Sequence, residues 1–207
     1  MAEPLDIPSL SPAIPRLGNR FSAWLGRTVL QRLGWQFEGQ FPTHGKMVIA
    51  VAPHTSNWDF VLGLAVAFTL RLKITFFGKH TLFFPPFDRL MRRWGGIPIE
   101  RSRAHGVVEQ IVANMKSAEQ MLLCIAPEGT RSPVFPWKTG FVHIAHAADV
   151  PLFLVGLDYQ RKKVVLGPCE PVVDVVQSMQ QVYAFFARVP AKYPANVITS
   201  VEKEIDS

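Results

Sequence analysis

Three short, nearly continuous apolar runs set the terms for this chain: Lys46–Ala52 (KMVIAVA), Met121–Ala126 (MLLCIA) and Pro151–Leu157 (PLFLVGL). A helix that buries one face carries apolar residues at a period near 3.6, and a half-exposed strand alternates with a period of two. Runs this short that are apolar throughout read as strands buried on both faces. Gly45 and Pro53 bound the first run, and Pro127 follows the second. Along the chain the rhythm is strand, loop, helix, repeated. That order demands a largely parallel sheet covered by helices on both faces.

The intervening segments fit this frame. A further strand is expected at Lys73–Phe77, and residues 163–167 suit a hairpin with the third run. Helical patterns cover 20–33, 60–71, 105–119 (through Val108, Ile111, Val112 and Met115), 140–148 and 174–188, the last opening on Asp174 as N-cap. Residues 83–94 place a double-proline turn before an aromatic and cationic helix, and Gly95–Arg101 is a turn into a short extended segment. Residues 1–19 form a Pro-rich arm, because each proline fixes its own φ and biases the residue before it against helix. The expected fold is therefore α/β, a largely parallel central sheet flanked by helices, with an N-terminal amphipathic helix. There is no internal repeat, low-complexity tract or clear linker.

Composition narrows the function classes. The 207 residues are 48% apolar and 18% charged, with a formal charge of +6, which excludes disordered, collagen-like and disulfide-scaffold chains. A soluble protein carries roughly a quarter charged residues, so this chain is both greasy and basic. Its longest nearly apolar run, Phe60–Leu70, has 11 residues, where a spanning helix needs ~20, so it reads as a buried or interfacial helix. The first twenty residues carry four prolines and two acids and no cationic start, so no signal peptide is visible. Cys124 and Cys169 are widely spaced and outside any CxxC, which fits reduced thiols. In the helix at 20–33, Phe21, Trp24, Leu25, Thr28, Val29 and Leu33 share a stripe, with Arg20, Arg27 and Arg32 off it. That profile suits a helix lying in a membrane interface and equally one packed on the domain.

Sites in such sheets gather where the carboxyl ends of strands meet the following helices, and two polar clusters stand there. The first is His54-Thr-Ser-Asn-Trp-Asp59. Five positions on a regular helix would point the two side chains ~140° apart, so His54 and Asp59 converge only if the segment turns, with Thr55, Ser56 or Asn57 capping the helix. Converged, Asp59 fixes the imidazole tautomer and the other ring nitrogen can take a proton from a hydroxyl. The bland alternative is a structural hydrogen bond. Ser56 lacks the G-x-S-x-G elbow of an enzyme nucleophile and reads as a cap. The second cluster is Pro127-Glu-Gly-Thr-Arg-Ser132. Gly129 permits close backbone approach, Thr130 offers a hydroxyl, and Arg131 offers a fork for phosphate or carboxylate. Glu128 needs a partner, a cation or a substrate hydroxyl; the alternative for the whole cluster is a surface turn.

Other candidates carry less. His143 and His146 lie three apart with Asp149 nearby, but a metal site normally shows three or four ligands, and a packed helix face is expected. His80 and His105 have no evident partners in the sequence. Arg89, Arg92 and Arg93 beside Phe87 and Trp94 come without a nucleic-acid fold signature, so an anionic lipid surface suits them better than nucleic acid.

Taken together, these clusters resemble the glycerophospholipid acyltransferase family, whose best-known members are the 1-acylglycerol-3-phosphate acyltransferases. The family's His-x4-Asp motif matches His54 and Asp59. Its Gly/Ile/Arg block matches Gly96, Ile97, Ile99 and Arg101, and its Glu-Gly-Thr-Arg block matches Glu128, Gly129, Thr130 and Arg131. A Phe-Lys-x-Gly feature appears in altered form as Trp137–Gly140, and the fourth block, Val150–Leu157, keeps Pro151 and lacks the family's second proline. The resemblance spans about residues 45–160, with all blocks in order.

The resemblance implies a glycerol-3-phosphate acyltransferase-like fold, with residues 1–34 as arm and membrane-facing helix and 35–207 as the acyltransferase domain. It implies that His54, oriented by Asp59, is the general base on an acceptor hydroxyl of a lysophospholipid such as 1-acylglycerol-3-phosphate. Acyl-CoA or acyl-carrier protein is the implied donor, and no metal, other cofactor or acyl-enzyme is required. Arg101 and Arg131 would hold the acceptor phosphate, while Glu128, Gly129 and Thr130 line the pocket. The implied location is peripheral, on the cytoplasmic face of an anionic membrane. Two alternatives stay open: acylation of another lipid hydroxyl, as in an ornithine-type lipid or glycolipid, and a non-catalytic lipid-binding relative.

Overall fold

The computed structural model describes residues 4–79, 81, 83–99 and 106–197. In chain order the elements are α1 (Arg20–Leu33), β1 (Gln36–Gly39), β2 (Lys46–Ala52), α2 (Asn57–Leu70), β3 (Ile74–Lys79), α3 (Phe87–Arg93), β4 (Gly96–Ile99), α4 (Val107–Ser117), β5 (Met121–Ile125), α5 (Gly140–Ala148), β6 (Leu152–Asp158), β7 (Lys163–Glu170) and α6 (Val175–Phe186). Among the described residues seven strands form one sheet in the order β1-β7-β6-β2-β5-β3-β4. Every neighbouring pair is parallel except β6 and β7, which form the antiparallel hairpin expected there. The mostly parallel α/β architecture read from the three apolar runs is the one found.

Those runs are the middle of the sheet. β2 is flanked by β5, with Ile49 opposite Cys124, and by β6, with Ile49 opposite Phe153. Its side chains alternate between two cores. Val48, Ala50 and Ala52 pack with α4, α5 and α6 through Met115, Phe141, Ala145 and Phe186. Met47 and Ile49 face the other way, onto Leu30 of α1 and Leu62 and Leu70 of α2. Burying one Leu or Phe side chain stabilises the fold by about 1.5–3 kcal/mol, which is why a strand covered on both faces has no polar position to spare.

Helix ends follow local chemistry. Asn19 caps α1, accepting the Ser22 N–H at 3.0 Å, and Gly34 closes it in the left-handed region at φ 74°. Asp174 caps α6 as expected, accepting the Gln177 N–H at 2.7 Å. The helix expected at 60–71 starts three residues earlier, at Asn57, because Ser56 caps it. Strand β1 was not anticipated: QFEG holds one apolar residue inside the strand, and its pairing with Lys163–Leu166 of β7 supplies the extended conformation.

On α1 the buried face is not the stripe with the largest side chains. Ala23, Gly26 and Leu30 turn inward, whereas Phe21, Trp24 and Leu25 are exposed at 67%, 58% and 40%. Gly26 lies so close to α2 that an added Cβ would meet the Ala65 carbonyl oxygen at 2.6 Å. Close helix approach selects the small residues and sends the aromatic ones outward. The Pro-rich arm runs beside this pair, with Leu17 N–H donating to Arg71 O and Lys73 N–H to Pro15 O, both at 2.9 Å. Among the described residues no helix is long and apolar enough to cross a membrane.

Candidate active site

The sheet order locates a crevice before any side chain is considered. From β2 the chain passes through α2 to β3 on one side, and from β5 it passes through α5 to β6 on the other. Right-handed crossovers in opposite directions put α2 and α5 on opposite faces, which opens a gap between the carboxyl ends of the adjacent strands β2 and β5. The loop after β2 carries His54, and the loop after β5 carries Glu128–Arg131.

The first cluster turns as the spacing requires. Ser56 is the N-cap of α2, extended at φ −147° and ψ 156°, and its Oγ accepts the Trp58 N–H at 3.1 Å. Asp59, in the first helical turn, answers by accepting the Ser56 N–H at 2.7 Å, and the same oxygen, Oδ2, accepts the Thr55 N–H at 2.7 Å. His54 stands outside the helix, so it can fold back, and its Nδ1 lies 3.4 Å from Asp59 Oδ2. The Asp59 side chain is 3% exposed and that of His54 30%: the carboxylate is sealed, while the ring reaches the crevice. Burial pushes the Asp59 carboxyl up, but bonds from His54, Tyr159 and the Ser56 N–H outweigh it and hold the group below the usual carboxylate range. An ionised Asp59 facing Nδ1 leaves Nε2 as the nitrogen that can accept a proton.

The second cluster reaches the first. Glu128, buried at the end of β5, accepts the backbone N–H of His54 on Oε1 at 2.8 Å. Its other oxygen, Oε2, is buried with no hydrogen-bond partner among the described residues. Burial pushes the Glu128 carboxyl above its ordinary value, against the pull of the His54 N–H, and the Asp59 charge adds to the rise. Gly129 sits at φ 63°, where a side chain is strained, and an added Cβ would lie 3.5 Å from the Lys138 side chain. Thr130 Oγ1 accepts the Ser132 N–H at 3.2 Å. Arg131 is exposed and donates through Nη1 to Asn57 Oδ1, at the first residue of α2.

Two contributors were not foreseen. Tyr159, directly after β6, donates its phenol O–H to Asp59 Oδ1. The segment after α6 returns across the same edge: Pro190 O accepts the Tyr159 N–H at 2.9 Å, the Tyr193 N–H reaches Thr55 Oγ1 at 3.4 Å, and Asn196 Nδ2 reaches Arg131 O at 3.3 Å. Lys192 Nζ stands 5.1 Å from the Trp58 ring centroid on the rim. Neither contributor belongs to a local motif; both follow from β6 lying beside β2.

Arg101, the other cation expected at a phosphate, lies outside the described residues, as do His80 and His105. His146 Nδ1 faces the Val172 carbonyl oxygen at 2.8 Å, and His143 is exposed. Among the described residues no three of His, Cys, Asp and Glu gather as a metal site. Cys124 and Cys169 are free; burial pushes the first thiol up to about 12, and burial with Glu170 pushes the second up to about 11, so neither supplies a thiolate.

Comparison with known proteins decides the family. A family model described as Acyltransferase matches residues 34–157, more than half of the chain and all of both clusters. The chain belongs to the acyltransferase family. The 1-acyl-sn-glycerol-3-phosphate acyltransferase of Escherichia coli K12 is 30% identical to it over 166 residues, covering 76% of this chain and 66% of that protein. The enzyme of the same name from Salmonella typhimurium is 28% identical over 181 residues, covering 83% and 72%. The one from Limnanthes alba is 30% identical over 152 residues, covering 68% and 53%. The chain thus spans about two thirds of the bacterial relatives and about half of the plant one. Among solved structures, the 1-acyl-sn-glycerophosphate acyltransferase of Thermotoga maritima aligns with a TM-score of 0.56 at 19% identity, over 84% of this chain and 80% of that one. At that identity the match speaks for the acyltransferase fold, the mostly parallel seven-stranded sheet flanked by helices.

Proposed function

We propose that this acyltransferase moves an acyl group from a thioester donor to the hydroxyl of a lysophospholipid such as 1-acylglycerol-3-phosphate, with His54 as general base. The observation that carries the reading is the 3.4 Å approach of His54 Nδ1 to the buried carboxylate of Asp59, at the crevice between β2 and β5. Asp59 holds the tautomer, and Nε2 takes the acceptor's proton as its oxygen attacks the thioester carbonyl carbon. The C–S bond then breaks, and the leaving thiolate takes the proton back from the imidazolium. The balance closes with no acyl-enzyme, and no step of this reaction needs a metal or further cofactor.

The surrounding groups support the same substrates. Arg131, with Arg101, binds the acceptor's phosphate; the guanidinium that now donates to Asn57 suits that exchange. Glu128, Gly129 and Thr130 shape the pocket, with Glu128 holding the backbone of His54 in place. The developing oxyanion takes the Asn57 N–H. The N–H groups of His54, Thr55, Ser56, Trp58 and Asp59 are all engaged, and that of Asn57 has no partner among the described residues. Acyl-CoA and acyl-carrier protein are both anionic, so the charge of +6 speeds their encounter. The exposed Phe21, Trp24 and Leu25 beside Arg20 and Arg27 suit peripheral attachment to the cytoplasmic face of an anionic membrane. The curated relatives named for 1-acyl-sn-glycerol-3-phosphate favour a phosphate-bearing acceptor over an ornithine-type lipid or glycolipid.

An acyl-transfer assay over phosphate-bearing and phosphate-free acceptors, each with CoA and carrier-protein thioesters, tests this reading. Turnover of 1-acylglycerol-3-phosphate is expected, with Arg131→Ala harming it more than any phosphate-free acceptor. Turnover confined to a phosphate-free acceptor would hand the site to the other lipids, and lipid binding without turnover would make the chain a non-catalytic relative.

A further inference from the structure

We propose that Tyr159 is a positioning residue for acyl transfer: its phenol O–H anchors Oδ1 of Asp59, so that Oδ2 is presented to Nδ1 of His54. The proposal rests on His54 acting as the base. A carboxylate turns readily about its last side-chain bond, because that torsion is broad. Both backbone donors near it, the N–H groups of Thr55 and Ser56, land on Oδ2, the oxygen that also faces the imidazole. Oδ1 is held from a different element, by the hydroxyl of Tyr159 at the end of β6.

The phenol is itself fixed. The Tyr159 N–H donates to Pro190 O at 2.9 Å, and the ring stands edge-on to Trp35, with centroids 5.0 Å apart and planes at 88°. Burial, and then the bond to Asp59, push the phenol well above its ordinary value, so Tyr159 stays a protonated donor throughout the working range.

Two consequences separate this role from plain packing. One concerns direction: without the anchor the carboxylate can turn, and the imidazole loses its fixed orientation. The other concerns charge: a donor on Oδ1 spreads the carboxylate's negative charge, and removing it leaves more charge beside His54. Coulomb attraction does not depend on which oxygen faces the ring, so the imidazolium is favoured even if the carboxylate turns. The other titratable groups around this pair are Glu128 from the end of β5 and Tyr193 from the segment after α6, and both are retained in Tyr159→Phe.

The test is a proton NMR titration of His54, its signal assigned by loss in His54→Ala, in wild type and Tyr159→Phe, beside steady-state kinetics. The expected result is a higher His54 midpoint, with kcat down about tenfold and the acceptor KM within twofold. An unchanged midpoint with unchanged kcat would overturn the proposal. If Tyr159→Phe fails to fold, 3-fluorotyrosine placed at position 159 serves instead; its more acidic phenol should lower the midpoint, and a midpoint that stays put contradicts the contact. A wild-type chain that acylates no acceptor would end the functional reading, while the His54 midpoint would still decide whether Tyr159 governs Asp59.

Discussion

Glu128 accepts the backbone N–H of His54 at 2.8 Å, so a part-buried hydrogen bond ties the loop after β5 to the loop after β2. The two polar clusters, 74 residues apart in the chain, are thereby one structural unit. Glu128→Gln keeps an oxygen for that N–H, whereas Glu128→Ala leaves the donor without its partner, a loss of about 1–3 kcal/mol. Because burial already disfavours the ionised carboxyl, the Gln variant should unfold in urea at the wild-type midpoint or above it, and the Ala variant clearly below. Equal destabilisation of both variants would mean that the His54 N–H bond does not hold the loop.

The N–H proposed to hold the oxyanion can be removed without disturbing the helix. Proline is favoured at the first position of a helix, and Ser56 already has the extended backbone that a residue before proline prefers. Asn57→Pro therefore deletes the free N–H, and Asn57→Ala controls for the lost bond to Arg131. Loss of one such donor costs roughly 100-fold in kcat or more. Asn57→Pro should fall below Asn57→Ala by that factor; equal rates would assign the oxyanion to other donors.

The proposed membrane attachment is best probed by point substitution. Deleting α1 would strip α2 of the face on which Gly26 is packed and damage the core. Phe21 and Trp24 are exposed, so Phe21→Ser with Trp24→Ser should leave thermal unfolding unchanged. Each side chain contributes about 1.5–3 kcal/mol when buried in an apolar phase, so sedimentation with anionic vesicles should weaken at least about tenfold. Unaltered sedimentation would remove this face from the membrane contact.

What was legible in the sequence was what local pattern controls. The central strands announced themselves because both of their faces are covered. The turn at Ser56 and the cap at Asp174 followed from side chains that bond their own neighbouring backbone. Strand β1 was illegible because QFEG is extended only by virtue of β7 beside it. For α1 the period was readable, but whether its aromatic stripe packs on the domain or lies outward was open; close approach to α2 selected Ala23 and Gly26 for the buried face. Tyr159 lies 100 residues from Asp59, and nothing near it in the chain signals the contact. The two meet because the sheet order sets β6 against β2, and register of that kind is a property of the whole sheet.

The central claim is that the imidazole of His54 takes the acceptor's proton. It is tested most directly by measuring acyl transfer to 1-acylglycerol-3-phosphate by wild type and by His54→Ala, matched for folded protein. A general base contributes about 10²–10⁴ in rate, so the variant should retain 1% or less of wild-type turnover. Turnover that survives His54→Ala would contradict the account.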